Sequence, residues 1–152
     1  MFTSDEETGS AHSEPYIREA AQQAELVLVM EPPTSEGALK TGRKGVATYT
    51  VEVMGRASHA GNHPEEGLNA ILEMSQQIVN ISKLQDLRNG ISVAVNTICG
   101  GSATNVIAAH AAATIDVRTF TLYDMHRVDE ALMNLMPKMP GIQVNVTLNH
   151  MR

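Results

Sequence analysis

The sequence predicts an α+β fold in which a four-stranded antiparallel sheet carries two helices on one face. Two observations predict this class. Four segments alternate apolar with polar or small residues, which is typical of strands that bury only one face. Two further segments repeat apolar residues at helical spacing. From about residue 41 the order is therefore strand, helix, strand, strand, helix, strand.

The four predicted strands each direct their apolar residues to one side. Between these residues lie mainly polar or small side chains, so we expect the other face of the sheet to be open to solvent. The apolar positions are Ala47, Tyr49, Val51 and Val53; Ile91, Val93 and Val95; Ala111, Ala113, Ile115 and Val117; and Ile142, Val144, Val146 and Leu148.

Two predicted helices supply the cover for the apolar face. The first spans residues 64–81, where Pro64 suits the first helical position and acidic residues follow it. The second ends at Pro137. The positions expected to face the sheet are Leu68, Ile71, Leu72, Ser75, Ile78 and Val79 in the first helix, and Met125, Val128, Leu132, Leu135 and Met136 in the second.

With right-handed crossovers, this order of elements closes as a ferredoxin-like βαββαβ layer. Strand 91–98 then lies at an edge of the sheet. Because an exposed edge can pair with another chain, we expect a homodimer through this strand and helix 64–81, with two sheets joined across a two-fold axis.

Residues 1–40 differ in character and predict a short α/β segment. Phe2-Thr3 resembles the end of a strand that begins further upstream, so we expect the natural N-terminus to lie elsewhere. Ser13 suits the cap of a helix that runs to about Gln23. Leu26–Met30 is a continuous apolar run, typical of a strand buried on both faces. Two strands are too few for an independent parallel sheet, so this segment is expected to belong to a larger domain.

Composition limits the function classes. The 152 residues are 43% hydrophobic and 3% aromatic, so the core must be aliphatic. A net charge of −6 without a basic run argues against a nucleic-acid surface, and no apolar stretch approaches the roughly 20 residues of a membrane span. The single cysteine, Cys99, excludes an internal disulfide and a thiolate metal cluster.

Five short motifs, in order and spanning nearly the whole chain, carry a family resemblance. The chain resembles the zinc metallopeptidases that include glutamate carboxypeptidase, acetylornithine deacetylase, succinyl-diaminopimelate desuccinylase and aminoacylase, with the glutamate carboxypeptidase branch most similar. The motifs are Phe2–Ser10 (FTSDEETGS), Glu31-Pro32, Gly55–Gly61 (GRASHAG), Ser102–Ile107 (SATNVI) and Asp116–Arg118 (DVR).

The resemblance implies an architecture and a reaction. In this family a catalytic domain holds two zinc ions, and an inserted lid domain mediates dimerisation. Residues 41–152 would be the lid, and residues 1–40 the catalytic-domain segment just before it. The parent enzyme would hydrolyse an amide bond next to a free carboxylate, in a small peptide or an N-acyl amino acid.

The resemblance also assigns roles to acidic residues in the first part of the chain. Glu6 would be the general base, and Glu7 a direct zinc ligand. Glu31 would bind one zinc ion only, and a glutamate rather than an aspartate at this position indicates a carboxypeptidase or deacylase. On the residues alone, Glu6 and Glu7 also fit a solvated turn before a helix, where negative charge is favourable.

Three further residues would contact the substrate. By resemblance, His59 reaches across the dimer and hydrogen-bonds the oxyanion in the partner's active site, while Asn105 and Arg118 bind the substrate carboxylate. Alternation alone already places Arg118 on the polar face in phase with Asp116. A surface ion pair between these two residues is the alternative reading.

Part of the family's zinc site is missing from this sequence. An early His-x-Asp motif and a late histidine are absent, so only Glu7 and Glu31 remain as ligands. We therefore expect a fragment that is itself inactive and does not bind two zinc ions tightly. The competing hypothesis is a stand-alone ferredoxin-like module for protein interaction or ligand sensing. The compartment, cytoplasmic or periplasmic, is left open.

Overall fold

The computed structural model describes every residue from Met1 to Arg152. The chain divides into two compact units, Met1–Thr41 and Gly42–Arg152, referred to below as the N-terminal unit and the sheet unit. This division lies one residue from the boundary predicted at 40/41. The assignment of the two parts to a catalytic domain and a lid remains a prediction.

The N-terminal unit contains one helix, α1 (Glu14–Gln22), and a short 3₁₀ turn before it, Glu6–Thr8. The predicted helix is confirmed to within one residue. The strands predicted at Phe2-Thr3 and Leu26–Met30 are wrong, because both segments are exposed and neither joins a sheet. A strand that is apolar on both faces requires neighbouring strands and covering layers, and this unit contains no strand.

The start of α1 is held by a different residue from the one predicted. The side chain of Ser13 makes no capping hydrogen bond. Instead, Asp5 Oδ2 accepts hydrogen bonds from the backbone N–H groups of His12 at 2.9 Å and Ser13 at 3.1 Å. The negative charge of this carboxylate also interacts favourably with the partial positive charge at the N-terminal end of the helix.

The sheet unit has the predicted βαββαβ order, and its four strands pair antiparallel in the order β2-β3-β1-β4. The predicted fold class is confirmed, with β2 at an edge of the sheet. The elements are β1 (Gly45–Met54), α2 (Ala70–Ser82), β2 (Ser92–Gly100), β3 (His110–Thr119), α3 (Leu122–Met133) and β4 (Gln143–Met151), with 3₁₀ turns at Pro64–Glu66 and Leu87–Asn89.

The core lies between the sheet and the two helices of this unit, α2 and α3. Every apolar position predicted in β1 and β3 is buried. Each outer strand contains an irregularity, between Val95 and Thr97 in β2 and at Asn149 in β4. One extra residue reverses the alternation of a strand. The irregularity in β2 therefore turns Ile98 towards the helix side of the sheet. The irregularity in β4 turns Met151 towards the core, against which it packs.

Helix α2 differs from its prediction in extent and in phase. Pro64 begins a separate 3₁₀ turn, and the helix itself starts at Ala70, where the Asn69 side chain accepts hydrogen bonds from two backbone N–H groups. The prediction of an inward stripe is wrong for most of its members, since Ile71, Leu72 and Val79 are 42%, 48% and 60% exposed. The face that is buried consists of Ala70, Glu73, Met74, Gln77 and Ile81.

Helix α3 follows its prediction more closely. Met125, Val128 and Leu132 are buried as expected, although the helix ends at Met133 and leaves Met136 71% exposed. None of the helices has the length and apolar character needed to cross a bilayer.

Candidate functional site

The loop that carries His59 is built as an extension of the sheet. Beyond the end of β1, residues 55–60 run antiparallel to residues 105–109, which lead into β3. The backbone hydrogen bonds between them join Gly55 N to Ala109 O at 2.8 Å, Ile107 N to Ser58 O at 2.9 Å and Ala60 N to Asn105 O at 2.9 Å. The two motifs Gly55–Gly61 and Ser102–Ile107 therefore form one structure.

Two glycines allow a third segment to pack against this extension. Residues 56 and 68 exchange backbone hydrogen bonds of 2.9 and 3.0 Å. A Cβ atom on Gly55 would overlap the carbonyl oxygen of Leu68, and one on Gly67 would lie 2.5 Å from Ser58 Oγ. A side chain at position 55 would force the two backbones apart, and one at position 67 would displace the side chains of Ser58 and Ile107. The glycines thus fix the shape of the loop from which His59 projects.

The imidazole of His59 is exposed and hydrogen-bonded on one nitrogen. Its Nδ1 accepts hydrogen bonds from the backbone N–H groups of Gly61 and Asn62, both at 3.1 Å. The residue also forms an isolated antiparallel bridge with Val106. The adjacent Asn105 is exposed. The structure therefore brings His59 and Asn105, two of the three predicted substrate residues, into one loop cluster.

Arg118 lies on the open face of β3, as the alternation predicts. Its Nε and Nη2 atoms donate hydrogen bonds to the two carboxylate oxygens of Asp116, at 2.8 and 3.3 Å. That hydrogen bonding, followed by the negative charge of Asp116, raises the pKa of Arg118. The Arg118 side chain remains 54% exposed, so the guanidinium can donate hydrogen bonds to a second partner.

Within one chain, Arg118 lies far from the His59 loop cluster. Strand β3 begins at His110, beside the loop cluster, and Arg118 is its penultimate residue. Arg118 is eight positions further along the extended strand than His110, which corresponds to roughly 27 Å at about 3.4 Å per residue. The structure therefore does not place Arg118 with His59 and Asn105 in a single copy of the chain.

The predicted metal-binding and base residues lie in the N-terminal unit. Glu6 and Glu7 occupy the exposed 3₁₀ turn, and Glu31 lies in an exposed segment outside any regular element. Glu7 and Glu31 do not form part of a cluster of three side chains that could hold a metal ion. Because a catalytic zinc takes about three protein ligands, the residues present do not complete a zinc site.

The side chain of His63 has different neighbours from that of His59. Its exposed side chain is 3.7 Å from the Glu65 carboxylate, and Glu66 completes a small surface cluster. Its backbone N–H donates to the carbonyl of His59 at 3.1 Å. This contact is through the main chain, so the imidazole of His63 has no part in the loop cluster.

Sequence reasoning missed the main-chain groups that position His59. The signal available was a Gly-Asn pair two and three residues after the histidine, which supplies two backbone donors within reach of the ring. The buried pair Glu73 and Gln77 was also missed, because the inward stripe was predicted mainly from the apolar residues of α2.

These features define a class of protein. An open-edged ferredoxin-like layer, with a polar loop cluster at one end and an arginine on its open face, is a domain suited to association with a second copy. A family model described as a peptidase dimerisation domain matches residues 41–141, and the chain belongs to this family. The resemblance predicted from the five motifs is confirmed.

Curated relatives contain a similar sequence as part of a longer protein. Carboxypeptidase G2 of Pseudomonas sp. (strain RS-16) is 38% identical over 120 residues, which cover 78% of this chain and 29% of that protein. A peptidase M20 domain-containing protein of Schizosaccharomyces pombe is 35% identical over 101 residues, or 62% of this chain and 24% of that protein. The chain thus spans less than a third of the length of these relatives.

Solved structures share the fold. An aminobenzoyl-glutamate utilization protein from Klebsiella pneumoniae superposes with a TM-score of 0.62 at 20% identity, covering 72% of this chain and 29% of that one. A hydantoinase/carbamoylase family amidase from Burkholderia ambifaria gives 0.64 at 19% identity, covering 74% and 29%. At these identities the likeness concerns the fold alone.

Proposed function

We propose that residues 41–152 form the dimerisation and substrate-recognition domain of a hydrolase, which cleaves an amide bond next to a free carboxylate. The family match and the carboxypeptidase among the relatives support the reaction class. One observation carries the proposal for the site: His59 and Asn105 lie at one end of an open-edged sheet, and Arg118 lies at the other.

Substrate size supports a site shared between two copies. An amide bond and the adjacent carboxylate of a small peptide or N-acyl amino acid lie within about 7 Å of each other, two extended residues at most. The gap between the two groups in one chain is roughly 27 Å along β3. Both can contact one substrate only if His59 and Asn105 come from one copy and Arg118 from the other.

The sheet unit also offers a surface on which a second copy can associate. The outer edge of β2 has no partner strand within the chain. Next to it, α2 exposes Ile71, Leu72 and Val79, and Ile98 of β2 is 57% exposed on the same side of the sheet. Pairing of two β2 edges across a two-fold axis would bury this apolar surface while completing the strand hydrogen bonds.

The proposed chemistry divides between a donor and an anchor. His59 would hydrogen-bond the oxyanion that develops on the amide carbonyl during hydrolysis, where a single donor typically contributes 10²–10³-fold in kcat. Arg118, aligned by Asp116, would bind the substrate carboxylate through its exposed edge. Asn105, in the same loop cluster as His59, would add a hydrogen bond to that carboxylate.

For the full-length protein we propose zinc as the cofactor, with Glu7 and Glu31 among its ligands and Glu6 as general base. The 152-residue chain would then be inactive, since it offers two of the required ligands. Equilibrium dialysis against zinc tests this point, and weak binding is expected. Tight binding of two zinc ions, lost in Glu7→Ala and Glu31→Ala, would contradict it.

Mixed dimers test the shared site directly. In the full-length protein, His59→Ala and Arg118→Ala are each expected to lower kcat/KM by at least 10²-fold on a panel of N-acyl amino acids. When the two variants are unfolded together and reassembled in equal amounts, half of the dimers are mixed, and each mixed dimer has one intact site of two. About one quarter of the wild-type activity should return.

Two controls define the outcome of this experiment. Reassembly of either variant alone should restore nothing. Failure of the mixture to regain activity would mean that His59 and Arg118 act within one chain or not at all. A full-length protein that hydrolyses no member of the panel would favour a binding module without catalysis.

A further inference from the structure

The hydrogen bonds of His59 determine where its proton lies. A neutral imidazole carries one proton, and a ring nitrogen that accepts a hydrogen bond has none. Nδ1 of His59 accepts from two backbone N–H groups, those of Gly61 and Asn62, each at 3.1 Å. The proton of the neutral ring therefore resides on Nε2.

The two donors are held by the fold rather than by mobile side chains. Ala60 N donates to Asn105 O at 2.9 Å immediately before Gly61, and His63 N donates to His59 O at 3.1 Å immediately after Asn62. The bridge between His59 and Val106 fixes the other side of the turn. The amides that face Nδ1 are consequently anchored at both ends of a four-residue turn.

We propose that the main-chain amides of Gly61 and Asn62 are positioning groups that hold His59 in the Nε2–H tautomer. This inference rests on the proposed function for its purpose, since an oxyanion requires a hydrogen-bond donor and the Nε2–H group is one. The turn provides that donor from a neutral imidazole, and no protonation of the ring is needed. In the Nδ1–H tautomer, the ring N–H group would point at the N–H groups of Gly61 and Asn62, and no acceptor would lie between them.

Long-range ¹H–¹⁵N correlation spectra of the ¹⁵N-labelled 152-residue chain test the tautomer. At a pH of about 8.5, where an ordinary histidine is neutral, His59 should show an unprotonated Nδ1 and a protonated Nε2. The exposed His126 of α3 provides an internal reference for a ring that exchanges between tautomers. A protonated Nδ1 on His59 would overturn the proposal.

Substitutions at Gly61 separate the donor from the side chain. Gly61→Pro removes the N–H group, and the Nδ1–H fraction of His59 should rise towards that of His126. Gly61→Ala keeps the N–H group, and its Cβ would meet the ring at 3.5–3.6 Å, an ordinary contact. The alanine variant should therefore retain the wild-type tautomer. An unchanged tautomer in Gly61→Pro, with the β3 amide resonances intact, would contradict the positioning role of Gly61 and leave the Asn62 amide as the sole positioning group.

A second measurement does not depend on the folding of the proline variant. In the wild-type chain, scalar couplings across the hydrogen bonds should join the amide nitrogens of Gly61 and Asn62 to His59 Nδ1, and their absence would overturn the proposal.

Activity separates this inference from the proposed function. If His59→Ala leaves the full-length enzyme unimpaired, the proposed role of His59 fails while the tautomer measurement still stands.

Discussion

Tyr49 shows how a polar hydroxyl is accommodated in the core. The side chain is fully buried in β1, and its hydroxyl donates a hydrogen bond to Asp129 Oδ1 of α3 at 2.9 Å. Burial, and then the hydrogen bond and charge of Asp129, raise the pKa of the Tyr49 hydroxyl. The bond ties a helix to the sheet across 80 residues of sequence.

The raised pKa of Tyr49 predicts a loss of stability at alkaline pH. In the unfolded chain a tyrosine loses its proton near pH 10, whereas Tyr49 in the folded chain keeps it to higher pH. Below pH 10 both states are protonated, and this contribution to stability is complete. Above pH 10 only the unfolded state releases the proton, so the free energy of unfolding should fall by about 1.4 kcal/mol per pH unit.

Urea unfolding between about pH 8 and pH 11 checks this expectation. Tyr49→Phe should lose about 1.5 kcal/mol at neutral pH through the missing hydrogen bond, and its alkaline decline should be shallower than that of the wild type. Tyr123→Phe is the matched control, because Tyr123 is 75% exposed. Equal alkaline slopes for wild type and Tyr49→Phe would contradict the assignment.

At the scale of elements, α2 shows both the success and the limit of sequence reasoning. Its helical periodicity predicts a helix, and the helix is there. The same periodicity misassigns its faces, because a stripe that includes Ile71, Leu72 and Val79 is equally compatible with a core and with a surface for a partner. Only packing against the sheet, which no local pattern contains, selects the face of Glu73 and Gln77 for burial.

The buried carboxylate of Glu73 joins α2 to the segment after α3. It accepts hydrogen bonds from Gln77 Nε2 at 2.7 Å and from the backbone N–H groups of Lys138 and Met139, both at 2.8 Å. Glu73→Ala would remove the acceptor of the two backbone N–H groups and one of the two acceptors of Gln77 Nε2, which also donates to Met136 O at 2.8 Å. We expect this to cost roughly 3 kcal/mol. Glu130→Ala, on the exposed side of α3, should change stability by less than about 0.5 kcal/mol.

Chemical denaturation of the two variants in parallel gives the comparison. The result that would count against the anchoring role is a Glu73→Ala chain as stable as Glu130→Ala. Glu73→Gln provides an intermediate case, since it keeps one acceptor oxygen while it loses the charge. We expect its stability to fall between those of the wild type and Glu73→Ala.

The exposed face of α2 yields a separate expectation for association. Leu72→Lys places a charge on the apolar surface beside β2, and we expect the proposed dimer to dissociate at least tenfold more readily. Sedimentation equilibrium measures this directly. Asn145→Lys introduces the same charge at an exposed position of β4, the edge of the sheet opposite β2, and serves as the control. A wild-type chain that remains monomeric at high concentration would remove the basis for the dimer.

The candidate site was predictable to the extent that its signals are local. The motifs located His59, Asn105 and Arg118, and alternation placed Arg118 on the open face. The separation of Arg118 from His59 along β3 emerges only from the strand register, and the two amides that face His59 Nδ1 depend on the course of a single turn. In this site the sequence pattern indicates residue types, while the tertiary structure decides which of them lie together.

At the scale of the whole molecule, the two units differ in how many of their residues are buried. No residue of the N-terminal unit is buried, and Leu26, Leu28, Val29 and Met30 are each more than 70% exposed. The sheet unit instead contains one continuous core that spans all four strands and both of its helices. Local opening costs little free energy where few apolar contacts must be broken.

We therefore expect the N-terminal unit to open far more readily than the sheet unit. In hydrogen exchange, amides of residues 24–41 should exchange at close to the rate of an unstructured peptide, while those of β1 and β3 should be protected by a factor approaching that of global unfolding. Limited proteolysis should cut first within residues 24–41 and leave a resistant product that begins near Gly42. Strong protection of Leu26–Met30 would contradict this expectation, because only a stable hydrogen-bonded strand would slow exchange in that apolar run.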